Sequence, residues 1–316
     1  MTYKKKFIAL SSLAAVLALV YILTFVLDPE NRRSSFFAWL DPALLVMADG
    51  IEIEGPQGST VLSRKNNTWV FPAGAMDYPV KQGRVEDLLA VLCRREAYPL
   101  RASSTGARER LGLAEGRASR IVVRGGAGLP LLELEIGTGD ALGREVYVSR
   151  AGKREIFSGE DRFTFYTDPG PASWYDLRLF PSEPARNSAA GVQQADITLP
   201  DGAGSYTLRR GRTETNGVGW IMLGNESVAL DAPRVEAWLR SVLDAEGEGF
   251  DDQALESVEG SIILRFGDGS ARTVQAGPED EQGSRGIMVS DSPFVYVLSE
   301  WTLNRLFRER AYFINN

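Results

Sequence analysis

Histidine is absent from this chain, and cysteine occurs once, at Cys93. Without histidine there is no Ser-His-Asp or Cys-His nucleophile, no imidazole metal ligand and no imidazole general base near neutrality. A single cysteine allows neither an intramolecular disulfide nor a thiolate metal cluster. Cys93 falls within the apolar pattern of a predicted helix, where it serves as a small core residue. Lysine is sparse too: beyond Lys4, Lys5 and Lys6 there are only Lys65, Lys81 and Lys153. The net charge is −7, and the part that follows those first lysines is more acidic still. That balance argues against nucleic acid as a partner. Arg94-Arg95 and Arg209-Arg210-Gly211-Arg212 read as solvated faces or local ion pairs.

What is present begins with an apolar run. From Phe7 to Leu27, 21 residues carry no charge and are interrupted only by Ser11, Ser12, Tyr21 and Thr24. As a helix that run reaches roughly 31 Å, matching a hydrocarbon core of about 30 Å. It exceeds the apolar region of a signal peptide, and Leu27-Asp28-Pro29-Glu30 is a poor cleavage context. No cysteine follows it for lipid attachment. The expectation is an uncleaved signal anchor at 7–27, with a cytoplasmic tail at 1–6. The rest would be extracytoplasmic, on the periplasmic side of a cytoplasmic (inner) membrane, by the positive-inside rule.

The remainder contains an internal repeat. Arg84-Val85-Glu86-Asp87-Leu88-Leu89 aligns with Arg234-Val235-Glu236-Ala237-Trp238-Leu239, and each follows a tryptophan strand, Trp69-Val70-Phe71 or Trp220-Ile221-Met222. Further on, Ile121-Val122-Val123-Arg124 mirrors Ile262-Ile263-Leu264-Arg265, and Val146-Tyr147-Val148-Ser149 mirrors Ile287-Met288-Val289-Ser290. Ile51-Glu52-Ile53-Glu54 alternates as a half-buried strand does. Val85, Leu88, Leu89 and Leu92 share a helix face, with Glu86 and Asp87 expected in its first turn. A second helix is expected from Pro233 to Leu243 with Asp231 as N-cap. A closing amphipathic helix is expected from Ser299 to Arg310, with Trp301, Leu303, Leu306 and Phe307 on its apolar side. The predicted fold class is therefore α+β: an N-terminal transmembrane helix, then two repeated units of antiparallel sheet with one main helix each. The units span 45–180 and 192–316, with a linker at 181–191.

Three patterns carry no chemistry. Gly125-Gly126-Ala127-Gly128 lies between two strands with no lysine after it, so it is a hairpin turn and not a phosphate loop. The acidic stretches Asp244–Asp252 and Glu279-Asp280-Glu281 lack the ligand alternation of a calcium loop. Trp69 and Trp220 are core anchors. No catalytic, cofactor-binding or metal-ligating residue is assigned, and no cofactor is expected.

The pattern resembles the bacterial family catalogued as domain of unknown function 4340. Trp69, Arg84 to Leu92, Leu111-Gly112-Leu113, Ile136-Gly137 and Val146-Tyr147-Val148 carry the resemblance, which covers most of 45–310. The second copy keeps the tryptophan and the helix but not the Gly-Leu segment. The resemblance implies an extracytoplasmic auxiliary protein that accompanies ABC-type transport systems, including gliding-motility ones, and brings no catalytic residues. The expected function is thus a non-enzymatic, membrane-anchored interaction subunit of an ABC-type transport or cell-envelope complex, partnered by a permease. The alternative is an ectodomain binding a small ligand or envelope glycan in a cleft between the two repeats.

Overall fold

The computed structural model describes residues 16–17, 34–74, 76–140, 142–181, 189–212, 217–225 and 227–315. The chain divides into two compact units between Trp174 and Tyr175. The expected linker at 181–191 lies largely outside the described residues. The boundary falls earlier because Leu177, Leu179 and Phe180 are already buried, with the Leu179 N–H bonded to the Ala245 carbonyl.

The first unit is built on a ten-stranded antiparallel sheet. Its strands are β1 (Ser34–Phe37), β2 (Ala48–Gly55), β3 (Gly58–Lys65), β4 (Thr68–Ala73) and β5 (Met76–Pro79), then β6 (Glu96–Ala102), β7 (Ser119–Gly125), β8 (Leu129–Gly139), β9 (Glu145–Arg150) and β10 (Ile156–Glu160). They lie in the order β1-β6-β10-β9-β8-β7-β2-β3-β4-β5. Helix α1 (Gln82–Cys93) covers one face, and α2 (Thr105–Arg110) and α3 (Arg162–Thr167) are single turns.

Alternation explains the layering. Ile51 and Ile53 of β2 are buried while Glu52 and Glu54 face out. The outward acids meet arginines of neighbouring strand β7: Glu52 takes Arg124 at 2.7 Å, and Glu54 takes Arg120 at 3.3 Å. Asn66 and Asn67 both adopt positive φ, the pair a tight β3–β4 hairpin demands. The Gly125–Gly128 segment is the turn of the β7–β8 hairpin, in which Ile121 faces Leu134. Two motifs of the family pattern meet: the Thr138 N–H bonds the Leu111 carbonyl at 3.0 Å. A Cβ on Gly137 would lie 2.1 Å from the Leu111 carbonyl oxygen, so only glycine permits this approach.

The second unit has eight strands: β11 (Val192–Thr198), β12 (Ser205–Arg212), β13 (Val218–Met222), β14 (Gly249–Asp251), β15 (Gly260–Phe266), β16 (Ala271–Glu279), β17 (Arg285–Val289) and β18 (Val295–Leu298). Their order, β13-β12-β11-β15-β16-β17-β18-β14, repeats β4-β3-β2-β7-β8-β9-β10-β6 of the first sheet strand for strand. Even the irregularities recur. β2 slips against β7 between Ala48 and Gly50, and β11 slips against β15 between Val192 and Gln194. Helix α4 (Ala232–Leu243) corresponds to α1, and α5 (Glu300–Leu306) to α3. In both units the residue before the main helix bonds the last residue of a closing 3-10 turn, Lys81 N–H to Trp174 and Asp231 N–H to Phe313, each at 2.9 Å.

Several expectations need correction. The membrane-spanning helix placed at 7–27 lies outside the described residues apart from Val16 and Leu17. Among the described residues no helix is long and apolar enough to cross a membrane. The two longest, α1 and α4, have 12 residues each, roughly 18 Å of helix against about 30 Å of hydrocarbon. The anchor is therefore withdrawn from the fold class. The signal-anchor function, inner-membrane localisation, extracytoplasmic placement and membrane partner that rested on it go with it. Helix α1 starts at Gln82, so Glu86 and Asp87 fall in its second turn and its first turn holds no acid. The closing helix is shorter than expected, and Trp301 is exposed with Arg305 stacked 4.9 Å from its ring.

Candidate functional site

Among the described residues no three His, Cys, Asp or Glu side chains cluster in a way that could hold a metal ion. The acidic segments are occupied by their own loops. Glu279 pairs with the buried Arg285 at 2.9 Å, and the Asp280 carboxylate accepts the Gln282 and Ser284 N–H groups. Cys93 is half-buried beside the core, and burial pushes its thiol above the ordinary range. Trp69 and Trp220 are buried in the two cores.

One seam of the first unit has a short ladder. β10 pairs with β6 only at Ile156↔Ala102 and Phe157↔Leu100, with a bulge between the two pairs. Beyond Leu100 no further β6–β10 pair forms. Ser158, Gly159 and Glu160 stay with β9, while Glu96 to Pro99 pair with β1. Pro99 has no N–H to give a ladder, which fits a break within a residue or two of it. In the second unit the corresponding seam is closed by three consecutive pairs, Gly249↔Val297, Phe250↔Tyr296 and Asp251↔Val295.

Beside this seam lies a cavity of about 610 Å³ lined by Ala97, Pro99, Arg101, Ser158, Asp140, Arg144 and Glu145 among others. Arg101 crosses its floor, donating to the Ser158 hydroxyl at 3.0 Å and to Glu145 at 2.9 Å. Ser158 is buried, so this bond fixes the guanidinium against the sheet. Asp140 shapes the rim. Its carboxylate accepts the Arg144 and Glu145 N–H groups at 2.7 and 3.2 Å, which hold it below the usual carboxylate range. Arg144 itself is exposed, and its charge also helps to hold the Asp140 carboxyl down. The groove thus offers an exposed arginine beside an acid, a fixed Arg–Glu pair and a short ladder. It has no activated nucleophile. Sequence reasoning missed it because no motif marks it; Pro99 inside a strand was the available signal.

A family model described as Domain of unknown function (DUF4340) matches residues 69–260. The match begins at Trp69 and spans both main helices. No curated protein and no solved structure matches the chain. Nothing in the family's description ties it to transport, so the expected ABC-type permease partner and auxiliary role are withdrawn. The alternative of a small ligand or envelope glycan between the repeats has no support in the family's description either and is withdrawn as well.

Proposed function

The chain belongs to the DUF4340 family, a domain family of unknown function, and from that premise we propose that it is a non-enzymatic recognition module whose first unit holds an extended polypeptide segment in the β6–β10 groove. The observation that carries the reading is the divergence of the two copies. Two sheets share one strand order, yet β14 and β18 pair at three consecutive positions while β6 and β10 pair at two, interrupted by a bulge, beside the groove that holds Arg101, Arg144 and Glu145. Strand residues left without a ladder partner present backbone groups in the geometry an added chain uses, and flanking side chains then select its sequence. A volume of about 610 Å³ falls within the usual range for ligand sites, and its polar lining suits a segment bearing charge.

The test is selection of peptides from a random displayed library, followed by fluorescence-polarisation titration and mass analysis of the bound peptide. The expected result is saturable binding by the full chain, at least tenfold weaker in Arg144→Glu and Glu145→Lys, with the peptide recovered intact. Peptides that bind both variants as tightly as the natural chain would sink the groove as the site. Cleaved or modified peptide would sink the non-enzymatic reading.

A further inference from the structure

Strand β3 of the first unit and β12 of the second each set an arginine opposite the strand tryptophan, Arg64↔Trp69 and Arg210↔Trp220. In the second unit that arginine is compensated. Arg210 donates its Nε–H to the Val192 carbonyl at 3.0 Å, pairs with Glu236 of α4 at 3.5 Å and stacks 4.9 Å from the Trp220 ring. In the first unit these partners are missing. Arg64 makes no ion pair among the described residues, its Nε is buried without an acceptor, and its side chain donates only to that of Asn67. Glu86, in the place of Glu236, is exposed and makes no ion pair among the described residues. A half-buried guanidinium without a carboxylate costs free energy that an incoming carboxylate would offset. Arg64 also lines a cavity of about 490 Å³, bounded by Val46, Met47, Asp49, Asn67 and Gly126 among others. All five are exposed, Val46 at 82% and Met47 at 49%, so the cavity is open to solvent.

We propose that this cavity is a docking site for a partner protein that inserts a glutamate flanked by aliphatic residues. Charge selects the inserted group: its carboxylate is to Arg64 what Glu236 is to Arg210. The aliphatic neighbours cover Val46 and Met47, and methionine adapts its shape to such a contact. Asp49, the one acid of the lining, is exposed and makes no ion pair among the described residues. Its charge repels an acidic tract, so the cavity takes a single carboxylate among apolar neighbours. The site shares no lining residue with the β6–β10 groove and stands independently of it.

The experiment uses the full chain and three capped peptides: one with a glutamate between two leucines, one with glutamine in its place, and one of glutamates alone. The expected result is saturable binding of the first, at least tenfold tighter than of the other two, with a shift of the Arg64 Nε–H NMR signal. Arg64→Gln should weaken binding at least tenfold. Val46→Asp should do the same at a position that is 82% exposed and carries no core packing. Arg144→Glu should leave it unchanged, which separates this site from the groove. Equal binding of the glutamine peptide, an unmoved Arg64 signal, or full binding by both Arg64→Gln and Val46→Asp would overturn the proposal. So would binding of free glutarate as tight as that of the peptide, or self-association of the chain through this face in place of peptide binding.

Discussion

Replacing Gln82 with alanine removes three hydrogen bonds from one side chain: the Trp69 N–H at 2.9 Å, the Trp69 carbonyl at 2.8 Å and the Val80 carbonyl at 3.0 Å. Trp69 is 5% exposed, so water does not readily replace them. At a net of about 0.5–1.5 kcal/mol each, the bonds sum to roughly 1.5–4.5 kcal/mol. Freeing the glutamine side chain returns at most about 2 kcal/mol of conformational entropy. The expected net loss is about 2 kcal/mol, confined to the first unit. With a urea slope of about 2 kcal/mol per molar, that lowers the unfolding midpoint by about 1 M. To read the two units separately, the transition should be followed on indole NMR signals. Trp39, Trp69 and Trp174 report the first unit, and Trp220 and Trp238 the second. A shift below about 0.2 M, or an equal shift in both sets, would refute the reasoning.

Asp231→Ala removes the N-cap bond to the Arg234 N–H and the Asp231–Arg234 ion pair, and should cost the second unit about 1 kcal/mol, read on Trp238 during urea unfolding. Arg285 is 4% exposed between Glu259 and Glu279; since both acids still reach water, Arg285→Met should cost about 1–3 kcal/mol, below a fully buried pair, by the same assay. Glu52 is held below its ordinary value of 4.5 chiefly by its bonds to Arg124. Its contribution is therefore present above the unfolded value and is lost as pH falls through the lower folded one. Stability measured from pH 6 to 3 should fall less steeply in Glu52→Gln, and an unchanged slope would contradict the assignment. Cys93 should react with a disulfide reagent at pH 8 at least tenfold more slowly than free cysteine, because burial disfavours its thiolate.

The repeat was legible because the same buried positions recur: Val85, Leu88 and Leu92 on one helix, Val235, Leu239 and Val242 on the other. The Asp231 N-cap and the Gly125–Gly128 hairpin were legible because short-range chemistry decides both. Trp301 shows the limit of helical spacing, since stacking by Arg305 leaves it exposed on a face that read as apolar. The groove was invisible for a different reason. It is an absence of pairing, set by where the β6–β10 ladder stops. A single sequence does not display which strands lie side by side, so it cannot show which of them lack a neighbour.

The most direct measurement is amide hydrogen exchange at Trp69 and Trp220 in the full chain under native conditions. The two residues hold equivalent places in duplicated sheets, one sealed by Gln82 and the other facing Ala232. Both residues are buried, so exchange at Trp220 at least tenfold faster than at Trp69, with slowing in Ala232→Gln, is the result expected if the Gln82 bonds and not burial protect the amide. Equal protection at the two amides would contradict it.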